Sequence, residues 1–124
     1  MKHAPGFLAL VERIRPHIRE VSAQEAADAL VSGCATLVDV REDREVAAGR
    51  IPGAVHLGRG VLERDVEAAF PDPKATLILV CGGGFRSALA ADALQTMGYS
   101  DVRSLAGGVR AWQDAGLPWE PCGC

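Results

Sequence analysis

The chain has 124 residues, 48% of them hydrophobic, with four cysteines and a formal net charge of −3. That length suits one domain with its own core, and the mildly acidic balance gives no electrostatic footprint for nucleic acid. No apolar run reaches the length of a membrane span. Glu12 and Arg13 break the short apolar stretch near the N-terminus, which argues against a signal peptide, so a cytoplasmic location is expected. In that setting Cys34, Cys81, Cys122 and Cys124 are expected as free thiols. His3, His17 and His56 add too few ligands at short spacing for a zinc site, and no metal is expected.

Phe7, Leu10, Val11, Ile14 and Ile18 fall at near-helical spacing, and Pro16 ends or kinks that helix. Residues 1–20 therefore read as an N-terminal helical arm packed on the domain. Ser22-Ala23-Gln24-Glu25 has the form of a capping box, and Gly33 suits the residue after the helix it opens. Ala35 to Val40 is a short continuous apolar run, the pattern of a strand buried on both faces. The chain then turns polar at Arg41, with a short helix through Val46 to Ala48 that Gly49 closes. Ile51 to Leu57 reads as a turn and a strand, Gly58-Arg59-Gly60 as a loop, and Val61 to Phe70 as a helix stopped by Pro71-Asp72-Pro73.

Thr76 to Val80 is the next β-favouring run, and Arg86 to Met97 carries an apolar helical stripe. Between them lies Cys81-Gly82-Gly83-Gly84-Phe85. Such a turn lets successive backbone N–H groups point at one spot and hold an anion. A cysteine there meets a positive field, the setting of reactive rather than merely structural thiols. Tyr99 to Leu105 gives a further strand, Val109 to Ala115 a last helix, and residues 120–124 a tail beyond the domain, which spans 21–119. Cys34 and the two tryptophans, Trp112 and Trp119, are expected to be packing residues.

Strands alternating with helices define an α/β domain with a mainly parallel sheet and helices on both faces. Ligands of such sheets bind outside the carboxyl ends of the strands. Asp39-Val40-Arg41 and Cys81 to Arg86 both follow strands directly, so both are expected at that edge. The glycines fit neither standard nucleotide motif. No Gly-Lys-Ser/Thr follows them, and Ser87 stands where the dinucleotide fingerprint needs its last Gly or Ala.

Four segments, in order, resemble the single-domain rhodaneses, the thiosulfate sulfurtransferase-like family. They are Leu37-Val38-Asp39-Val40-Arg41, Gly49-Arg50-Ile51-Pro52-Gly53-Ala54-Val55-His56, Cys81-Gly82-Gly83-Gly84-Phe85-Arg86-Ser87-Ala88 and Leu105-Ala106-Gly107-Gly108-Val109-Arg110-Ala111-Trp112. The resemblance runs from about Val21 to Trp119. It departs at Arg50, where the family usually has His, a change expected to be structural, and the loop interior is richer in glycine than most. The resemblance implies the three-layer rhodanese fold and transfer of sulfane sulfur, with Cys81 as nucleophile and carrier. Gly82, Gly83, Gly84, Phe85 and Arg86 would form the anion cradle. Asp39 and Arg41, from their position past a strand end, are expected to orient the loop or line the pocket. The resemblance implies no cofactor. Its partners are a small-molecule sulfur donor, thiosulfate or a persulfide, and a thiol acceptor, which includes a thiol on a protein.

Two other readings carry weight. A rhodanese-like module without catalysis would use the loop to sense sulfur or bind a partner. A phosphatase or arsenate reductase of related fold would need a loop one residue longer than the four residues between Cys81 and Arg86. Cys122 and Cys124 could relay sulfur from Cys81 or form an inert end.

Overall fold

Short β-branched runs between amphipathic helices build a parallel sheet here, as the alternation predicts. The computed structural model describes residues 3–121. The helices are α1 (Pro5–Ile14), α2 (Ala23–Val31), α3 (Asp43–Ala48), α4 (Leu62–Ala69), α5 (Phe85–Thr96) and α6 (Gly108–Asp114). The strands are β1 (Arg19–Val21), β2 (Thr36–Asp39), β3 (Gly49–Arg50), β4 (Val55–His56), β5 (Thr76–Val80), β6 (Asp101–Leu105) and β7 (Glu120–Pro121). Five strands form the central sheet in the order β1-β6-β5-β2-β4, every pair parallel. A small antiparallel pair joins β3 to β7. Among the described residues no helix is long and apolar enough to cross a membrane.

The central strand β5 is apolar on both faces because both faces are covered. Ile78 and Val80 pack with Leu37, Leu105, Val109 and Trp112 beneath α2 and α6. Leu77, Leu79 and Cys81 point the other way, toward Leu62, Val66, Ala90, Ala91 and Leu94 of α4 and α5. Leu77, Ile78, Leu79 and Val80 are all fully buried, and each such side chain contributes roughly 1.5–3 kcal/mol. In register, Asp39 stands beside Val80 and Leu79 beside Ser104. The loops after β2, β5 and β6 therefore leave the sheet at one edge.

Local signals account for the helix ends. The Ser22 hydroxyl accepts from Glu25 N–H at 3.1 Å, and Glu25 Oε1 accepts from Ser22 N–H at 2.8 Å. Gly33 follows α2 at φ +76°. α1 stops at Ile14, and Arg15–His17 continues as one 3-10 turn around Pro16, so the break precedes the proline. Val11 is fully buried where α1 lies against α5. Cys34 corrects its expected place in the core: it is exposed, in the turn after α2. Trp112 is buried, and its Nε1–H donates to Pro118 O. Cys122 and Cys124 lie outside the described residues.

Candidate active site

β5 delivers Cys81 to the edge of the sheet, and the three glycines turn the chain directly into α5. Gly84 sits at φ +96°, and a Cβ there would come within 3.0 Å of Gly107 N. The Gly107-Gly108 turn packs under the loop from the end of β6. A Cβ on Gly108, at φ +58°, would meet Cys81 O at 2.3 Å, so only glycine allows that approach. The approach lets Val109 N–H donate to Cys81 O at 2.8 Å and Arg110 N–H to Gly82 O at 3.3 Å. With these carbonyls held by α6, the amides on the other side of the loop turn inward.

Two of those amides reach the sulfur. Gly84 N–H donates to Cys81 Sγ at 3.2 Å and Ser87 N–H at 3.3 Å. The Ser87 hydroxyl lies 3.5 Å from Sγ and 2.8 Å from the hydroxyl of Ser104. Both serines are fully buried. A negatively charged sulfur accepts from Ser87, which in turn accepts from Ser104. The amides of Gly82, Gly83, Phe85 and Arg86 donate to no protein acceptor among the described residues. They are free donors at the head of a helix, where the dipole also favours negative charge.

Cys81 is only 1% exposed, less than the sequence reading expects for a reactive thiol. It nonetheless lines an open cleft of about 510 Å³ together with His3, Phe7, Glu42, Arg44, Glu45, Gly83, Phe85 and Arg86. Low exposure and access agree if Sγ is the floor of the cleft and the loop is its rim. A second hollow adjoins it through Gly83, Phe85 and Arg86 and adds Gly82, Gly107 and Arg110.

Arg86 is not free to grip a ligand with its guanidinium fork. Its two terminal nitrogens donate to Glu45 Oε1 at 2.7 Å and Oε2 at 3.0 Å. That bidentate contact draws the Glu45 carboxyl down to about 2 and pushes the Arg86 guanidinium up. Glu45 Oε1 also accepts from Glu42 N–H at 3.1 Å, closing a capping box on α3. The far end of the loop is thereby tied to α3.

Asp39 and Arg41 sit at the expected edge, 1% and 5% exposed, and face each other rather than the cleft. Arg41 Nε donates to Asp39 Oδ1 at 3.0 Å and Nη2 to Oδ2 at 2.9 Å. Nη2 also donates to Gly49 O at 2.8 Å, and Nη1 reaches Glu45 O at 3.4 Å. The buried pair thus holds α3 at its third residue and just past its C-terminal end. Trp119 stacks near the Arg41 guanidinium, 5.8 Å from ring centre to Cζ. His56 Nε2 contacts Arg41 O at 2.8 Å. Arg59 pairs with Glu63 at 2.6 Å, and Arg50 faces Glu120 across the β3–β7 pair at 3.8 Å.

Sequence reasoning missed Glu45, Ser87, Ser104, Arg44, Arg110, His3 and Phe7. Glu45 carried a signal, the Glu42-x-x-Glu45 spacing of a capping box after an Asp-x-Arg strand end. Ser104 carried none, since a serine late in a strand reads as any small residue. Among the described residues Arg44 and Arg110 make no ion pair.

The rhodanese-like domain family matches residues 22–115, and the chain belongs to that family. The thiosulfate sulfurtransferase GlpE of Pseudomonas fluorescens is 38% identical over 89 residues, covering 72% of this chain and 80% of that protein. A human thiosulfate:glutathione sulfurtransferase is 36% identical over 104 residues, covering 74% of this chain and 90% of its own. Among solved structures, a Rhodopseudomonas palustris protein of unknown function, described as a possible tyrosine phosphatase, superimposes with a TM-score of 0.85 at 32% identity. That match covers 97% of this chain and 98% of the other.

Proposed function

We propose that this chain is a sulfurtransferase that carries sulfane sulfur on Cys81. The observation that supports it most is the donor set at Sγ, two amides and the Ser87 hydroxyl, on a residue that lines an open cleft. The Cys81 thiolate attacks the outer sulfur of thiosulfate or a persulfide. The donor's S–S bond breaks, and sulfite or a thiolate leaves with the electron pair. Cys81 then holds a persulfide whose outer sulfur takes the negative charge, within reach of the loop amides. An acceptor thiolate or cyanide attacks that outer sulfur and returns the Cys81 thiolate. Oxidation states balance across the two steps, so the cycle needs no cofactor.

Arg86, locked to Glu45, acts in this scheme by fixing the loop. Asp39 and Arg41 act one step further back, by fixing α3. The test is thiocyanate formation from thiosulfate and cyanide. The native chain is expected to turn over, and Cys81→Ser to be inactive; turnover surviving that change removes the proposal.

The description of the Rhodopseudomonas palustris protein motivates a phosphatase as second reading. Two features weigh against it: the short loop, and an Arg86 whose fork is already filled by a carboxylate. Hydrolysis of an aryl phosphate dependent on Cys81 would favour it. A non-catalytic module predicts neither activity.

A further inference from the structure

The N-terminal arm lies outside residues 22–115, yet two of its side chains form a wall of the cleft that contains Cys81. His3 and Phe7 meet Phe85, the first residue of α5, in one aromatic cluster. Ring centres are 4.5 Å apart for His3 and Phe85, 5.1 Å for His3 and Phe7, and 5.9 Å for Phe7 and Phe85. The tilted rings are in the range of favourable aromatic pairs. Arg15, just past α1, caps the Phe85 ring with its guanidinium 5.4 Å from the centroid. Val11 anchors α1 in the core against α5. The wall is therefore held from below rather than draped over the site.

The cleft it helps to form, about 510 Å³, falls in the roughly 300–1,000 Å³ range of sites for organic ligands. An inorganic thiosulfate would leave most of it to water. Its charges are arranged for a larger molecule as well. Arg86 is neutralised by Glu45, and Glu42 also lines the cleft. Among the described residues, Arg44 on this cleft and Arg110 on the adjoining hollow make no ion pair, and both are exposed. They sit in the lining rather than among the donors to the sulfur, where they suit carboxylates attached to a carbon skeleton.

Resting on the sulfurtransferase reading above, we propose that His3, Phe7 and Phe85 with Arg44 and Arg110 make this site selective for an organic low-molecular-weight persulfide bearing carboxylates, over inorganic thiosulfate. The donor R–S–S⁻ gives its outer sulfur to Cys81 and leaves as R–S⁻. The aromatic wall takes the carbon skeleton, and the two arginines take the carboxylates.

The test compares two donors, glutathione persulfide and thiosulfate, with cyanide as acceptor and the Cys81→Ser background subtracted. The native chain is expected to show the higher kcat/KM with the persulfide. Phe7→Ala is expected to lower that preference about tenfold, the scale of one lost apolar contact in a binding pocket, mainly through the KM of the persulfide. Arg110→Gln alters an exposed side chain that contributes little to packing, and is expected to reduce the same ratio; it serves if Phe7→Ala does not fold. A native preference for thiosulfate, or variants that lower both donors equally, overturns the selectivity while leaving the sulfurtransferase intact. No transfer from either donor overturns both.

Discussion

Cys81 Sγ collects an amide from the glycine turn, another from the first turn of α5, and the hydroxyl of Ser87 backed by Ser104. Hydrogen bonds to a charged partner are worth about 1.5–3 kcal/mol, so Ser87→Ala is expected to slow sulfur transfer at least about tenfold. The rate of Cys81 alkylation by iodoacetamide at fixed pH is expected to fall with it. Ser87→Ala also strands the Ser104 hydroxyl in the core. The double change Ser87→Ala with Ser104→Ala should recover the unfolding midpoint but not the transfer rate. Recovery of both would mean that the serines only pack. Asp39 and Arg41 sit further back, and removing one member of a buried pair leaves an uncompensated charge worth about 3–5 kcal/mol. Asp39→Asn is expected to lower stability in urea on that scale. A loss below about 1 kcal/mol, the range of an exposed pair, would contradict their role in holding α3.

At the scale of elements, the loop depends on a neighbour distant in sequence. Gly108 admits no Cβ, because Cys81 O would lie 2.3 Å away. A compatible glycine-to-alanine change stabilises by about 0.4–1 kcal/mol, whereas Gly108→Ala is expected to destabilise by more than that and to cripple transfer. Gly60→Ala, with nothing within 4 Å of the added carbon, serves as the control. The strand–loop–helix around Cys81 was legible in the sequence because both flanking periods are strong: Thr76–Val80 is the strand, and α5 starts one residue before the expected Arg86. The capping box at Ser22 was equally plain. The pairing of β3 with β7 was not, since two-residue strands carry no period. β1 was hidden by Arg19 and Glu20, an exposed pair on a sheet edge. In the site, Cys81 and its glycines were readable from local pattern. The Arg86–Glu45 contact joins residues far apart in the chain; the local spacing marks Glu45 as a capping residue but not as the partner of Arg86. The arm was read as packing on the domain; that it also lines the cleft depends on where α1 lands against α5, which no periodicity specifies.

At the scale of the whole molecule, one sheet edge gathers the ends of β2, β5 and β6; the ion pair between α3 and α5 fastens the first two, and the start of α6 is bonded to the Cys81 loop. Glu45 is drawn from 4.5 to about 2 in the folded chain. A depressed carboxyl contributes stability above its unfolded value and loses it as pH falls through the folded one. The difference in urea midpoint between the native chain and Glu45→Gln should therefore be full near neutrality and shrink between pH 4.5 and about 2. A difference that grows on acidification would contradict the pairing. In the proposed scheme wall, cradle and tether all serve one event, the loading of a sulfur atom onto Cys81. Intact-mass and peptide mass spectrometry after treatment with thiosulfate, without reductant, tests it most directly. A gain of about 32 Da, one sulfur atom, is predicted on the peptide containing Cys81 and is removed by cyanide. An unmodified Cys81, or a gain confined to other cysteines, would contradict it.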